Sequence, residues 1–572
     1  MTAKLETVRL TRRRFVTRLA LAAASAGLLP TLNACAPAAP APATPAPKAP
    51  EPTQAAKPTA APAAATTAPA TPAAAPATQA PPAIQPTPAA AAGQPVPGGS
   101  FRATLGAEPT TVDPHAGNTL FDVDVRVAMF DALIEDDTLD GVRGALAESW
   151  DSPDAKTWTF KLRQGVKFHD GGELTAEVVK ASMERLVDPA IPITGQLKAR
   201  AAQIASTTTP DQYTVRFELK APNAAFPIDL ADLKIVPKDF DAVRPIGTGP
   251  FQFVEWVRNR HVRLKKHPGH FRPGLPYLDE LTFLPTPDEN QKVVLLQTGQ
   301  VDFTDTIPLP RVKEVEQGGR VVVFGIPPGV SPSAYFMLSR TDRAPLDNPR
   351  VRRAINHAID RKAQLEVTFD VGTIKSNVVP PKHWAFNPNA PSYDERDLAK
   401  ARQLLAEAGH PNGFSVQLKH ITSRAEFATM AQLFQANLAE VGIKVELLPL
   451  EIGVWVEQVL NKHDFELGLT GVIPGYDPDA ILGNQFSIEQ TNGKAMNWKH
   501  DEFQNLLAQG RAVVDQEARK RAYFRAQEIV QEESPGFIMN ERPILYGASP
   551  AVQGFRPDIR QYTHFEAVWL KR

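Results

Sequence analysis

The chain has 572 residues, 43% of them hydrophobic and 22% charged, and its 62 basic and 63 acidic residues leave a formal net charge of −1. That length supports two or more domains with sizeable cores. The even charge balance speaks against a nucleic-acid partner, which calls for a basic stripe or patch, and a single cysteine, Cys35, excludes an intramolecular disulfide.

Residues 1–34 read as an export signal. A basic stretch containing Arg9 and Thr11-Arg12-Arg13-Arg14-Phe15-Val16 precedes an apolar run from Leu19 to Leu29, which is too short for a membrane-spanning helix of about 20 residues. The paired arginines followed by Phe15 resemble the twin-arginine type of signal, which exports folded proteins. Leu32-Asn33-Ala34-Cys35 resembles a bacterial lipobox; that resemblance implies lipidation of Cys35 and a mature chain that starts there. Removing residues 1–34 leaves 56 basic and 62 acidic residues, a net charge of −6. A free cysteine usually packs as a small hydrophobe, but the position of Cys35 directly after the apolar run favours the anchor.

From Ala36 to Gly98 the sequence is almost entirely Ala, Pro, Thr and Gln, with 18 of the chain's 54 prolines and no aromatic residue. Such a segment cannot bury enough apolar surface to offset chain entropy. Proline biases it toward polyproline II at about 3.1 Å per residue. Residues 35–98 are therefore expected to form a lipidated, disordered tether.

From Gly99 onward, strand and helix signals mix, as in an α/β arrangement. Trp158 to Arg163 and Tyr213 to Leu219 alternate apolar and polar residues, the period of a half-buried strand. Asp347-Asn348-Pro349 supplies a cap and an early proline for a helix whose apolar face is Val351, Ala354, Ile355, Ala358 and Ile359. A further helix, about 396–408, should stop at Gly409. Phe414 to Lys419 then reads as a strand, Ala425 to Val441 as a helix stopped at Gly442, and Ile443 to Leu448 as a strand. This is a βαβ unit that implies local parallel pairing. No internal repeat shows, and no later apolar run is long enough to cross a membrane.

Several phrases, in order along the body, resemble the dipeptide/oligopeptide/nickel-binding family (family 5) of extracytoplasmic solute-binding proteins of ABC importers. They are Leu146-Ala147-Glu148-Ser149-Trp150, Thr157 through Gly171 (TWTFKLRQGVKFHDG), Gly247-Thr248-Gly249-Pro250-Phe251, Asp347 through Arg361, Tyr476-Asp477-Pro478 and Glu532-Glu533-Ser534-Pro535. The resemblance implies an α/β, two-lobed periplasmic-binding-protein-like fold of the large peptide-binding type, with mixed sheets and a ligand cleft between the lobes. It places lobe I at 99–338 with 536–572 returning to it, and lobe II at 339–535. Tyr335-Phe336-Met337-Leu338 is expected at one hinge crossing. The implied function is capture of a peptide or peptide-sized solute by lobe closure and delivery to ABC transporter permease subunits. No cofactor, no metal and a monomeric chain held to the membrane through Cys35 go with it. An oligosaccharide, an opine-like compound or a nickel chelate are alternative ligands; a secreted enzyme or a signalling receptor on the same scaffold are further alternatives.

The resemblance also nominates ligand contacts. Glu108 and Thr110 lie in a segment like the family's first cleft loop, and Asn118 and Phe121 follow it. Tyr476 and Asp477 end a segment in which an acid pairs with a peptide's amino terminus, although here Val472-Ile473-Pro474-Gly475 carries no earlier acid. Tyr335, Trp455 and Trp498 complete the set, with core packing the preferred reading of both tryptophans. His169-Asp170, lifted from context an acid–base pair, reads as a turn with a packed histidine. His267 and His270 lack the third neighbouring ligand that a metal site needs. Gly247-Thr248-Gly249 reads as a tight turn at a lobe junction. No zinc-protease helix motif, hydrolase nucleophile elbow or phosphate-cradling loop occurs.

Overall fold

Alternating inward side chains set the three main sheets of the body. The computed structural model describes residues 94–117, 119–137, 141–422, 425–472 and 475–571. The expected export signal, Cys35, nearly all of the Ala/Pro-rich segment and Asn118 lie outside the described residues. Strand Ser100–Leu105 turns Phe101, Ala103 and Leu105 inward at the middle of a seven-stranded mixed sheet. It pairs in parallel with Glu280–Pro285 and Phe303–Thr304. Antiparallel strands His261–Lys266 and Phe251–Val257 extend one side, and Leu545–Ala548 and Val322–Gly325 extend the other. Phe101, Phe283, Phe303, Tyr546, Phe555 and Phe565 fill its core.

A four-stranded antiparallel sheet, Ala147–Asp151, Thr157–Leu162, Thr214–Leu219 and Ile204–Asp211, packs its own core. Its inward faces are those the alternation marks: Trp158, Phe160 and Leu162 on one strand, Val215, Phe217 and Leu219 on another. Trp158, Phe160, Phe217 and Phe226 meet with ring centroids 5.6–6.3 Å apart where they touch Phe226, the range favoured by edge-on aromatic pairs.

The glycine turn joins these two sheets and does not lie at the lobe junction. The Gly249 N–H donates to the carbonyl of Met129, at the end of helix Leu120–Met129 (3.0 Å). A Cβ on Gly247 would stand 2.1 Å from that oxygen, and one on Gly249 2.4 Å from the carbonyl carbon, so only glycine permits the approach. His169, from the other sheet, closes the joint. Its own N–H donates to the Gly247 carbonyl, its Nδ1 accepts the Gly247 N–H (3.2 Å), and its Nε2 donates to the Gly249 carbonyl (3.0 Å). Asp170 stays in the turn, accepting the Gly172 N–H at 2.9 Å. The histidine is thus packed and tautomer-locked.

The second lobe is built on a five-stranded sheet in the order Lys444–Leu450, Ser415–Ile421, Leu467–Val472, Ala334–Ser339, Gly536–Glu541. The expected βαβ unit forms, with Ser415–Ile421 and Lys444–Leu450 paired in parallel around helix Ala425–Ala439. Gly409 and Gly442 take the positive φ angles that end their helices, +87° in both. Helix Pro349–Ala358 is capped by Asn348, which accepts the Arg350 N–H, and all five residues of its expected apolar face are buried.

Sheet membership moves the division between lobes. Tyr335 to Leu338, expected to close the first lobe, form the fourth strand of the second lobe's sheet. Gly536–Glu541, expected to return to the first lobe, pairs beside them. The chain changes sheets at 326–333 and again at 542–544. The reason is burial: Ala334 through Ser339 are buried on both faces, as an inner strand must be.

Candidate functional site

The two crossings run side by side. On one side of them Gly325 pairs with Leu545; on the other Ala334 pairs with Glu541. Between, the Arg542 N–H donates to the Ser333 carbonyl at 3.2 Å. Strand direction then locates the cleft. In the first lobe the parallel strands Ser100–Leu105 and Phe303–Thr304 lie antiparallel to the strand that starts at Leu545, so their carboxyl ends point to the crossings. In the second lobe Ser415–Ile421 and Leu467–Val472 run parallel, and the latter pairs antiparallel with the strand that starts at Ala334. Its carboxyl end also points to the crossings. Ligands of open α/β sheets bind outside the carboxyl ends of the strands, and here two such edges face one hinge.

Some nominated residues lie along these edges, and others are spent on structure. Phe121 lies against Gly106, just past strand Ser100–Leu105, where a Cβ would be 2.6 Å from its ring. Thr110 donates through its N–H and hydroxyl to Asp122 at 2.6 and 3.0 Å. Burial disfavours the Asp122 charge, yet bonds from Thr119 and Thr110 outweigh it and hold the carboxyl below its ordinary range. Glu108 accepts the Trp256 indole N–H (2.7 Å) and the Asn259 N–H (3.0 Å), which pins the first loop to a hairpin.

In the second lobe, Tyr335 is fully buried with its ring 5.6 Å from Phe427. Trp455 donates to the Lys419 carbonyl from within the core, and Trp498 packs among Phe486, His500 and Phe503. Tyr476 reaches toward the first lobe, since a Cβ on Gly141 would lie 3.7 Å from its ring. Its carbonyl accepts the His383 Nε2–H at 2.8 Å, and His383 Nδ1 accepts the Ala385 N–H at 3.0 Å.

Asp477 is a structural keystone. It caps helix Pro478–Phe486 through Asp479 N–H, and both its oxygens accept from Arg519 Nη2 at 2.7 and 2.9 Å. Arg519 also donates to the Gly510 carbonyl, so one buried ion pair ties together three helices, Pro478–Phe486, Asp501–Ala512 and Gln516–Glu533. Burial works against the Arg519 charge, but Asp477 overrides it and raises the guanidinium above its ordinary value. Both side chains are about one-tenth exposed. A second contact joins the lobes at the rim, where the Ala224 N–H donates to the Arg511 carbonyl at 2.8 Å.

Sequence reasoning passed over His383, whose ring holds the Tyr476 carbonyl. The rings of His169 and His267 are 5.0 Å apart and those of His267 and His270 6.5 Å. Among the described residues no group of three or more His, Cys, Asp or Glu could hold a metal ion, and no helix is long and apolar enough to cross a membrane.

Two lobes, each presenting the carboxyl edge of its sheet to a paired-strand hinge, define the architecture of a solute-binding protein. Residues 141–493 match the profile of bacterial extracellular solute-binding proteins, family 5, middle region, and the chain belongs to that family. It is 31% identical over 481 residues to the glutathione-binding protein GsiB of Escherichia coli O1:K1 / APEC, across 79% of this chain and 90% of that one. The Helicobacter pylori ABC transporter-associated periplasmic binding protein DppA, solved with peptide STSA, superposes with a TM-score of 0.69 at 29% identity. That match covers 83% of this chain and 99% of the other. The binding protein AgaA of A. tumefaciens R10, solved with agropinic acid, gives the same TM-score, identity and coverage. The family consists of substrate-binding components of transporters rather than enzymes.

Two outcomes follow from this geometry. Asp477→Ala strands a buried guanidinium and should cost roughly 3–5 kcal/mol, read as a lowered midpoint in urea. Adding Arg519→Met should recover part of that loss, and a double variant as unstable as the single one would disprove the keystone role. The second outcome concerns pH. His115, His169 and His383 are each held to about 4, chiefly by burial. Each accepts an N–H at Nδ1 and donates from Nε2 to a backbone carbonyl, which requires the neutral ring. The unfolded chain takes up protons near pH 6.5 that the fold refuses, so stability is complete above that value and falls toward pH 4. Asp479, pushed up to about 6 by burial, acts in the opposite sense. Melting temperature should therefore decline between about pH 6.5 and 4, and the decline should be shallower in His169→Gln; an unchanged slope would refute the account.

Proposed function

We propose that this chain captures a peptide or peptide-sized solute outside the cytoplasm and passes it to the permease subunits of an ABC importer. The observation that carries the reading is the convergence of both lobes' carboxyl strand edges on a two-crossing hinge, in a chain of this family. Solute between the lobes bridges them, and a ligand that binds the closed arrangement better shifts the population toward it. Glutathione, a tetrapeptide and agropinic acid, named for the three relatives, support small polar solutes of peptide size. An opine-like ligand is the second reading, supported by the equal similarity to the agropinic-acid complex.

The sequence supports a lipid anchor at Cys35 and an Ala/Pro-rich tether over residues 36–98, and a chain that works as a monomer is what the family resemblance implies. The cleft-lining roles of Phe121 and Tyr476 belong to the same proposal, supported by Phe121 packing on Gly106 just past strand Ser100–Leu105 and by Tyr476 approaching Gly141 of the first lobe.

Native mass spectrometry of the full-length protein, purified gently from its own host, should show one chain carrying an adduct of peptide size. Adding that solute should raise the melting temperature as RT ln(1 + [L]/Kd) requires. Peptide, opine and sugar panels that all leave the melting temperature unchanged would sink the reading. Cys35→Ser should move the protein from the membrane fraction to the soluble extracytoplasmic fraction; unchanged partition would remove the anchor and leave the binding function standing.

A further inference from the structure

The end of helix Asp501–Ala512 is completed by the other lobe. The last carbonyls of a helix have no partner within it. Here the Gly510 carbonyl accepts Arg519 Nε at 3.0 Å from the same lobe, whereas the Arg511 carbonyl accepts the Ala224 N–H of the first lobe at 2.8 Å. Both sides are held ready for that bond. Arg511 Nε donates to Asp479 at 2.8 Å, which fixes the helix end. In the first lobe the Asn223 N–H donates to the Ala155 carbonyl at 2.7 Å. The Asn223 side chain donates to Gln203 and Asp229 and accepts the Ala225 N–H. Donor and orphaned acceptor are thus each set by their own lobe, and they pair only where the lobes touch.

The same contact brings acids of the two lobes toward each other. Asp229 lies on the short helix Phe226–Leu230 just after Ala224. It accepts from Gln203 at 3.0 Å and Asn223 at 3.1 Å, and Arg200 stands 3.8 Å away, shared with Asp232. Across the contact, Asp477 is paired with Arg519 and Asp479 with Arg511, with Tyr523 beside Arg519 and Glu489 in the field of Arg511. Burial chiefly, with Asp477 of the other lobe adding to it, raises the Asp229 carboxyl above its ordinary value, against Arg200, Gln203 and Asn223. Asp479 is likewise pushed up to about 6, by burial and by Asp477, against Arg511 and Arg519. Parting the lobes takes the Asp477 charge away from Asp229. A carboxyl whose affinity for protons is higher in the closed form takes one up on closing, so acid favours closure and the preference fades as pH rises.

We propose that the Ala224–Arg511 contact is a latch on lobe closure and that Asp229 makes it acid-sensitive, because protonating Asp229 ends its repulsion from Asp477 across the contact. This inference rests on the reading of the chain as a receptor whose lobes close around solute. The receptor then holds its solute more firmly in mildly acidic surroundings and opens more readily at neutral pH.

Spin labels at Val187→Cys in the first lobe and Val454→Cys in the second, both exposed positions, test it in the full-length Cys35→Ser chain. Pulsed electron paramagnetic resonance reads the distance between the lobes after dialysis against solute-free buffer. The ratio of closed to open chains should rise on the order of 3- to 10-fold between about pH 7 and 5, since one unit of pKa difference is worth tenfold. Asp229→Asn should raise that ratio at about pH 7 and remove most of its pH dependence. Ala224→Pro, which lacks the donor N–H, should lower the ratio at both pH values. A ratio that ignores pH, or a pH dependence unchanged in a folded Asp229→Asn, would overturn the inference while leaving the proposed function intact. One distance at every pH, with and without a pool of Gly/Ala/Leu tripeptides, would overturn lobe closure itself, and this inference with it. Should Asp229→Asn fail to fold, the pH series on the labelled chain with Asp229 in place still decides.

Discussion

Two neighbouring chain crossings set the mechanics of this molecule. The strands flanking them are paired on both sides, Gly325 with Leu545 and Ala334 with Glu541, and a bond from Arg542 to Ser333 ties the crossings between. Two backbone strands bonded to each other bend together, while splaying them apart would break ladder bonds in both sheets. Rotation of the lobes is therefore cheap about one axis and costly about others, which is what hinge closure needs. Glu541 and Lys375 reinforce the base of the hinge through Gly329 and Ser331. Their bonds hold the loop 326–333 against the second lobe, so the first lobe moves as a body beyond it.

Each lobe must be stiff for that motion to carry information, and the stiffening devices are those that first resemble chemistry. The His169 ring, the Gly247–Gly249 turn and the Met129 carbonyl lock two sheets of the first lobe into one body. Asp477 and Arg519 do the same for three helices of the second. In both cases a polar group that could serve catalysis or ligand binding is consumed by internal bonds. Buried polar groups need partners, and in a large two-lobed protein most of those partners come from the same lobe.

This explains which parts of the structure were legible in the sequence. Period-two alternation placed Trp158, Phe160, Leu162, Val215 and Phe217 inward, and helical spacing gave the buried face from Val351 to Ile359, because burial leaves a direct imprint on residue type. The βαβ unit at 415–450 followed from helix-ending glycines at 409 and 442. Lobe boundaries were misplaced by one strand at each crossing, since a strand buried on both faces reads the same whichever sheet it joins. Cleft residues were the least legible. Glu108, Thr110 and Asp477 carry the residue types of ligand contacts, but whether a carboxylate faces a solute or an indole N–H depends on residues some 150 positions away, Trp256 in the case of Glu108.

Magnitudes decide how the hinge and the site share the work. Among the described residues the lobes meet through a backbone bond from Ala224 to Arg511, an exposed ion pair of Lys313 with Asp370 at 3.7 Å and the approach of Tyr476 to Gly141. A single such hydrogen bond contributes about 1 kcal/mol net. Carrying a two-state equilibrium from mostly open to mostly closed takes about 5.5 kcal/mol of preferential binding. The described contacts fall short of that, so in the proposed function the enclosed solute supplies the balance. That free energy has to come from surfaces on both lobes. A solute engaging one lobe alone would bind without closing the hinge.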